Sequence, residues 1–251
     1  MNLGLCVYIP KVAGRFPALL DVHGGGWEQR QVESDKPLME RLATHGYVTA
    51  LVSYRLSAVA KYPAQLYDVK TAIRFLRAHA EELQIDPAHL GLIGGSAGGQ
   101  LVALAGMTNG RAEYEGPGEN QQYSSAAQAC IVMAATMDLY AENLAKTGHF
   151  QEAYLGYSCA ERPDLFKDAS PLFHVTEKAP PVVFIEGEND HKKIGRAEMM
   201  ARLQSFGIET NLHVLPGAPH PFWMSQPWLD QTVDLALEFF NRRLKPVPPG
   251  R

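Results

Sequence analysis

The chain has 251 residues, 46% hydrophobic and 20% charged, enough for one sizeable α/β domain, and nothing in its composition marks a second. Its 23 basic residues are scattered against 27 acidic ones for a net charge of −4, so no basic stripe tracks a phosphate backbone and nucleic acid is excluded as a partner. The cysteines, Cys6, Cys130 and Cys159, are odd in number and lack metal-ligand spacing, and Cys130 in its apolar run reads as a buried reduced thiol. No segment is long enough to span a bilayer and no signal peptide is visible, so the chain as written reads as cytoplasmic, without a membrane partner. Met1 enters almost at once into a strand-like run, which leaves room for an upstream leader and strand.

Short apolar runs alternate with amphipathic stretches, the pattern of parallel strands buried on both faces by crossover helices. In chain order the strands fall at 5–9, 18–22, 48–53, 90–93, 129–134, 182–185 and 211–215. After the second comes His23-Gly24-Gly25-Gly26-Trp27. Between the third and fourth, Val69, Ala72, Ile73, Leu76, Ala80 and Leu83 recur at helical spacing and stop before Asp86-Pro87. The fourth leads into Gly94-Gly95-Ser96-Ala97-Gly98 and a second helical run from Gln100. Two irregular stretches, 108–125 and 138–180, are expected as excursions at the carboxyl edge of the sheet, where open α/β folds place ligands. Val233, Ala236, Leu237, Phe240 and Leu244 mark a last helix, and the proline-rich 245–251 is expected as a flexible tail.

Gly94 to Gly98 is a G-x-S-x-G motif in a strand, tight turn and helix setting, which holds a serine hydroxyl up for attack. The glycine loop at 23–27 matches the oxyanion-hole loop that accompanies this elbow, with Gly25, Gly26 and Ala97 as backbone donors to a developing oxyanion. A serine hydroxyl is a weak nucleophile at neutral pH, so Ser96 needs an imidazole base and a carboxylate to orient it. Asp190 follows the sixth strand and His220 lies about 30 residues later, completing the Ser, Asp, His order of the motif. Asp138, after the strand that follows the nucleophile helix, is the rival acid, with Glu186 and Glu188 close to Asp190. His23 belongs to the glycine loop in a structural role, and His45, His79 and His89 fall on the helix or turn side before the elbow. The cluster Glu186, Glu188, Asp190 and His191 could be imagined as a metal site, but consecutive loop residues do not converge without special backbone geometry; neither metal nor cofactor is expected. Trp27, Phe222 and Trp223, with Trp228 nearby, are candidates to line an acyl or sugar pocket. Tyr54-Arg55 reads as an anchor between loops.

With these motifs on the page, the chain resembles the α/β-hydrolase superfamily, and within it the small esterases of the hormone-sensitive-lipase-like and feruloyl or acetyl-xylan esterase type. Beyond the elbow and glycine loop, Tyr54-Arg55-Leu56-Ser57, Pro63-Ala64-Gln65 with Asp68, and Pro219-His220-Pro221-Phe222-Trp223 carry the resemblance. It implies a single α/β-hydrolase domain over 1–251, mostly parallel, with helices on both faces and no large cap. It also implies a serine carboxylic ester hydrolase with Ser96, Asp190 and His220 at the triad positions, acting on short acyl esters, often acetyl or feruloyl esters of plant saccharides. The chain departs from that group in lacking N-terminal cap helices and a leader, and small imported oligosaccharide esters reconcile these departures with the activity. An arylformamidase or peptidase would use the same triad, and the glycine loop followed by tryptophan also resembles kynurenine formamidase. A catalytically silent hydrolase fold serving as a binding module is the alternative of a different class. Oligomeric state is not legible in the sequence.

Overall fold

Apolar runs too short for helices and too continuous for a half-exposed sheet become strands covered on both sides. The computed structural model describes residues 4–145, 150–190 and 194–245. Seven strands, β1 (Leu5–Tyr8), β2 (Phe16–Val22), β3 (Val48–Val52), β4 (Ile85–Gly95), β5 (Ala129–Met133), β6 (Val182–Gly187) and β7 (Thr210–Leu215), form one sheet in the order β1-β3-β2-β4-β5-β6-β7. Only β1 is antiparallel, paired to β3; the remaining neighbours are parallel.

Alternation along β2 divides the core. Ala18, Leu20 and Val22 face helices α2 (Ala64–Ala78) and α3 (Ala97–Met107), while Leu19 faces α1 (Val32–Thr44) and α8 (Trp228–Leu244). The first layer is filled by Leu66, Val69, Ile73 and Leu101, the second by Met39, Leu42, Ala236 and Phe240. Each fully buried aliphatic side chain contributes about 1.5–3 kcal/mol relative to exposure. Helix α7 (Arg196–Ser205) adds Met199 and Leu203 to the first layer. No large cap domain is present among the described residues, and no described helix is long and apolar enough to cross a membrane.

Two expectations are corrected. The stripe running to Leu83 suggested a longer helix, yet α2 ends at Ala78, and Gln84 at φ 58° turns the chain into β4 through a bond from Ile85 N to Ala80 O of 2.7 Å. A residue in the left-handed region cannot continue a right-handed helix.

The excursion at 108–125 lies at the amino edge of the sheet, opposite the expected side. It leaves the far end of α3, which runs back from the carboxyl end of β4, and delivers Gln128 to a bond with Leu90 O (2.8 Å) at the start of the β4–β5 pairing. The excursion at 138–180 instead leaves the carboxyl end of β5 and folds into α4 (Leu139–Leu144), α5 (Gln151–Leu155) and α6 (Pro163–Asp168) above that edge. Of the expected tail, 246–251 lies outside the described residues, whereas Lys245 Nζ donates to His45 O at 2.9 Å.

Candidate active site

The elbow begins with a serine in a conformation that serines avoid. Ser96 closes β4 at φ 56° and ψ −124°, a strain of about 1–3 kcal/mol that persists only where surroundings over-determine it. Its N–H donates to Met133 O (2.8 Å) at the end of β5, and Gln100 N donates to Ser96 O (3.1 Å), fixing the turn from β4 into α3. The close crossing of α3 over β2 requires glycine at position 98, where a Cβ would stand 1.8 Å from Val22 O. Ala97 is the first residue of α3, so its N–H has no carbonyl one turn earlier within the helix.

Across the cavity, β2 ends in the glycine loop. Gly25 (φ 100°) and Gly26 (φ 61°) adopt backbone that side chains resist, while Gly25 O accepts from the N–H of Glu28 and Gln29 at 3.0 and 2.9 Å. Tyr54 braces the loop from below by donating its hydroxyl to His23 O (3.1 Å) and Gly24 O (3.3 Å), and its ring stacks on His23 at 4.3 Å. His23 is fully buried with Nδ1 donating to Gly24 O at 2.7 Å, and burial lowers its pKa to about 4, so it is a neutral structural residue at pH 7. Arg55 anchors its loop through a two-pronged pair with Asp68 and a bond to Ala64 O (3.1 Å).

His220 Nδ1 donates to Asp190 Oδ2 at 2.7 Å, which leaves Nε2 as the acceptor nitrogen. Asp190 is 3% exposed at the end of the β6 loop, and His220 follows β7. Asp138 is engaged elsewhere: its carboxylate caps α4 by accepting from Ala141 N at 2.9 Å. Glu186 pairs with Arg196 (3.3 Å) and Glu188 accepts from Gly217 N (2.9 Å). The remaining member of the imagined metal cluster, His191, lies outside the described residues, and no group of three or more metal-ligating side chains occurs among those described. Asp86 and His89 form a second histidine–carboxylate pair at 2.8 Å, but at the amino end of β4, away from Ser96. His45 and His79 turn their Nδ1 atoms to carbonyls of their own helices.

Ser96, Ala97, Gly25, Gly26, Trp27, His220 and Trp223 all line one cavity of about 280 Å³. Phe222 does not, contrary to expectation: it is fully buried and packs edge-on against Trp223 at 5.1 Å, because the single tight helical turn at Phe222–Met224 points successive side chains in different directions. Trp228 is also absent from the lining and donates to Pro216 O (3.1 Å). Sequence reasoning missed other parts of the wall, among them Glu142, Phe150 and Gln151 from the second excursion, Thr136 just before it, and Gln100. Gln100 had a readable signal, a polar residue one turn after the serine in an otherwise apolar helix. It accepts from Trp27 Nε1 (3.2 Å) and donates to Ala169 O (2.7 Å), while Trp27 stacks on Tyr154 at 4.4 Å. The buried Cys130 thiol is free and takes no part in the cavity, its pKa pushed up by burial.

Comparison with known proteins identifies the family of the chain. A family model described as BD-FAE matches residues 5–194. The chain belongs to the BD-FAE family. It is similar to esterase LipC of Mycobacterium tuberculosis (strain ATCC 25618 / H37Rv), 31% identical over 219 residues covering 82% of this chain and 53% of LipC. Esterase LipQ of the same organism is 32% identical over 219 residues, covering 83% and 51%. The BD-FAE chain thus spans about half the length of these curated relatives. Among solved structures, the native form of the thermophilic esterase Est2 from Thermogutta terrifontis superimposes with a TM-score of 0.82 at 28% identity, covering 99% of this chain and 91% of Est2. A Bacteroides eggerthii protein described as bifunctional GH43-CE gives a TM-score of 0.84 at 26% identity, covering 95% and 35%.

Proposed function

We propose that the chain is a serine carboxylic ester hydrolase with Ser96 as nucleophile, His220 as general base and Asp190 as the group that orients it. The observation that carries this reading is the 2.7 Å bond from His220 Nδ1 to Asp190, made on the wall of the cavity that also holds the strained Ser96. The names of the relatives, LipC, LipQ and Est2, support it. His220 Nε2 takes the proton of Ser96 Oγ as the oxygen attacks the ester carbonyl, and the N–H groups of Gly25, Gly26 and Ala97 stabilise the oxyanion. A donor of this kind is worth about 2.7–4 kcal/mol in the transition state. The imidazolium then protonates the leaving alcohol, giving an acyl-enzyme, and water deprotonated by the same imidazole releases the acid and restores Ser96. Asp190 keeps the imidazole in the required tautomer and balances the imidazolium charge.

The cavity of about 280 Å³ lies at the small end of ligand sites, which favours an acetyl or similarly short acyl group over feruloyl. Trp27, Phe150 and Trp223 give that cavity aromatic walls suited to a saccharide face, so acetylated small saccharides are the proposed substrates. The test is S96A: turnover of p-nitrophenyl acetate should fall by at least about 10⁴-fold with the far-ultraviolet circular dichroism unchanged. Retained turnover removes Ser96 from the mechanism. A panel of acetate, ferulate, formamide and peptide substrates, with a fluorophosphonate label for reactive serine, separates the esterase from the formamidase, peptidase and silent-fold readings.

A further inference from the structure

Beneath the base loop the fold buries two carboxyl groups that the mechanism above does not use. Asp21 lies in β2 and Asp35 in the first turn of α1, each 1% exposed, and their side chains meet. Asp35 Oδ1 accepts from the indole Nε1 of Trp223 at 3.0 Å. Asp35 Oδ2 and both oxygens of Asp21 receive no N–H or O–H from the described residues, and no described lysine or arginine acts on either carboxyl. The other titratable group that feels them is Tyr54, whose hydroxyl serves the glycine loop.

Ionised carboxylates offer each other only acceptors, and a buried ion without a partner costs several kcal/mol. A proton between the two relieves both difficulties. In keeping with this, burial raises the Asp35 pKa to about 7, and burial together with the neighbouring Asp35 raises that of Asp21 well above the usual carboxylate range.

Trp223 ties the pair to the site. Its ring presses so closely on Gly95, the residue before the nucleophile, that a Cβ there would come within 2.1 Å of it. The same ring meets the His220 imidazole edge-on, with centroids 5.5 Å apart at 89°. We propose that Asp21 and Asp35 share one proton and act as positioning residues, holding the His220 loop against the Ser96 elbow through the indole N–H of Trp223. The positioning role rests on the assignment of Ser96 and His220 above; the shared proton does not.

Two measurements on the full chain test this. Infrared difference spectra between the wild type and D21N/D35N at pH 7 should contain the C=O stretch of a protonated carboxylic acid, present only in the wild type. No such band overturns the shared proton, and D21N alone, in which Asp35 gains an amide donor and ionises, repeats the measurement should the double variant fail to fold. Kinetics with p-nitrophenyl acetate test the positioning. D35N, whose amide can both accept from Trp223 and donate to Asp21, should keep a near-wild-type kcat. W223F, which deletes the indole N–H, should lose on the order of 10–100-fold in kcat with a smaller change in KM. A wild-type kcat in W223F, or a loss in D35N as large as that in W223F, overturns the positioning role. An infrared band in a wild type that turns over no ester would sink the esterase assignment while leaving the proton pair standing.

Discussion

The excursions at 108–125 and 138–180 leave the same sheet at opposite ends, and that difference decides what each contributes. At the amino edge the first is clamped from below by α2. Lys70 Nζ donates to Thr108 O (3.0 Å) and pairs with Glu115 (3.1 Å), Arg74 pairs with Glu115 (2.8 Å), and Arg77 donates to Ser124 O and Ala126 O at 2.6 Å. The second is tied by the Asp138 cap at the carboxyl edge and, farther along, by Tyr62 and by Tyr114 of the first excursion, which donate to the Asp168 carboxylate at 2.8 and 2.5 Å, and it gives Glu142, Phe150 and Gln151 to the cavity wall. Both are polar, irregular stretches. One is a strut and the other a wall because helix α3 carries the chain away from Ser96, whereas β5 delivers it beside Ser96.

Mutations at the two edges should therefore separate activity from stability. At the carboxyl edge D190N is expected to lower kcat by about 10⁴-fold, the cost of a misdirected imidazole, while D138N leaves kcat near wild type because asparagine still caps α4. Steady-state kinetics on the two variants checks this, and equal losses would return Asp138 to the triad. At the amino edge the effect moves to stability. E115Q leaves the buried Lys70 and Arg74 without their counter-charge, and removing one partner of such a pair costs roughly 3–5 kcal/mol, read as a lower urea midpoint with kcat unchanged.

Smaller changes sharpen the comparison within the carboxyl edge. Phe150 lines the cavity and packs beside Gly26 of the glycine loop. F150A should raise kcat/KM for butyrate relative to acetate by up to about tenfold, measured with p-nitrophenyl esters. The smallest effect is a pH dependence. With their pKa raised above the unfolded value, Asp21 and Asp35 bind more protons in the native state, so the stability they contribute is lost as pH rises from about 4 through about 7. His23 has the opposite sign, because its lowered pKa makes stability rise as pH rises from about 4 towards 6.5. The denaturation midpoint of the wild type minus that of D21N/D35N isolates the carboxyl contribution and should fall between pH 5 and pH 8.

The sequence by itself determined the features written in local patterns. Continuous apolar runs specify buried strands because both faces must leave water, and the glycines at 94–98 and 24–26 mark turns that other residues would strain. The order of Ser96, Asp190 and His220 followed from strand ends, since each side chain comes just after a run that had to be a strand. Tertiary structure alone decided the rest. Asp190 and not Asp138 meets His220 because β6 and β7 are neighbours while Asp138 is held by its own helix. Phe222 and Trp223 are both buried in the core, yet only Trp223 also reaches the cavity wall, a difference that the residue types leave open. Asp21 and Asp35 give no local sign of their meeting, because a contact between a strand and a helix exists only after the layers pack. Hydrophobic periodicity is a property of neighbours along the chain, whereas the composition of a cavity depends on which chain ends the fold brings to one edge.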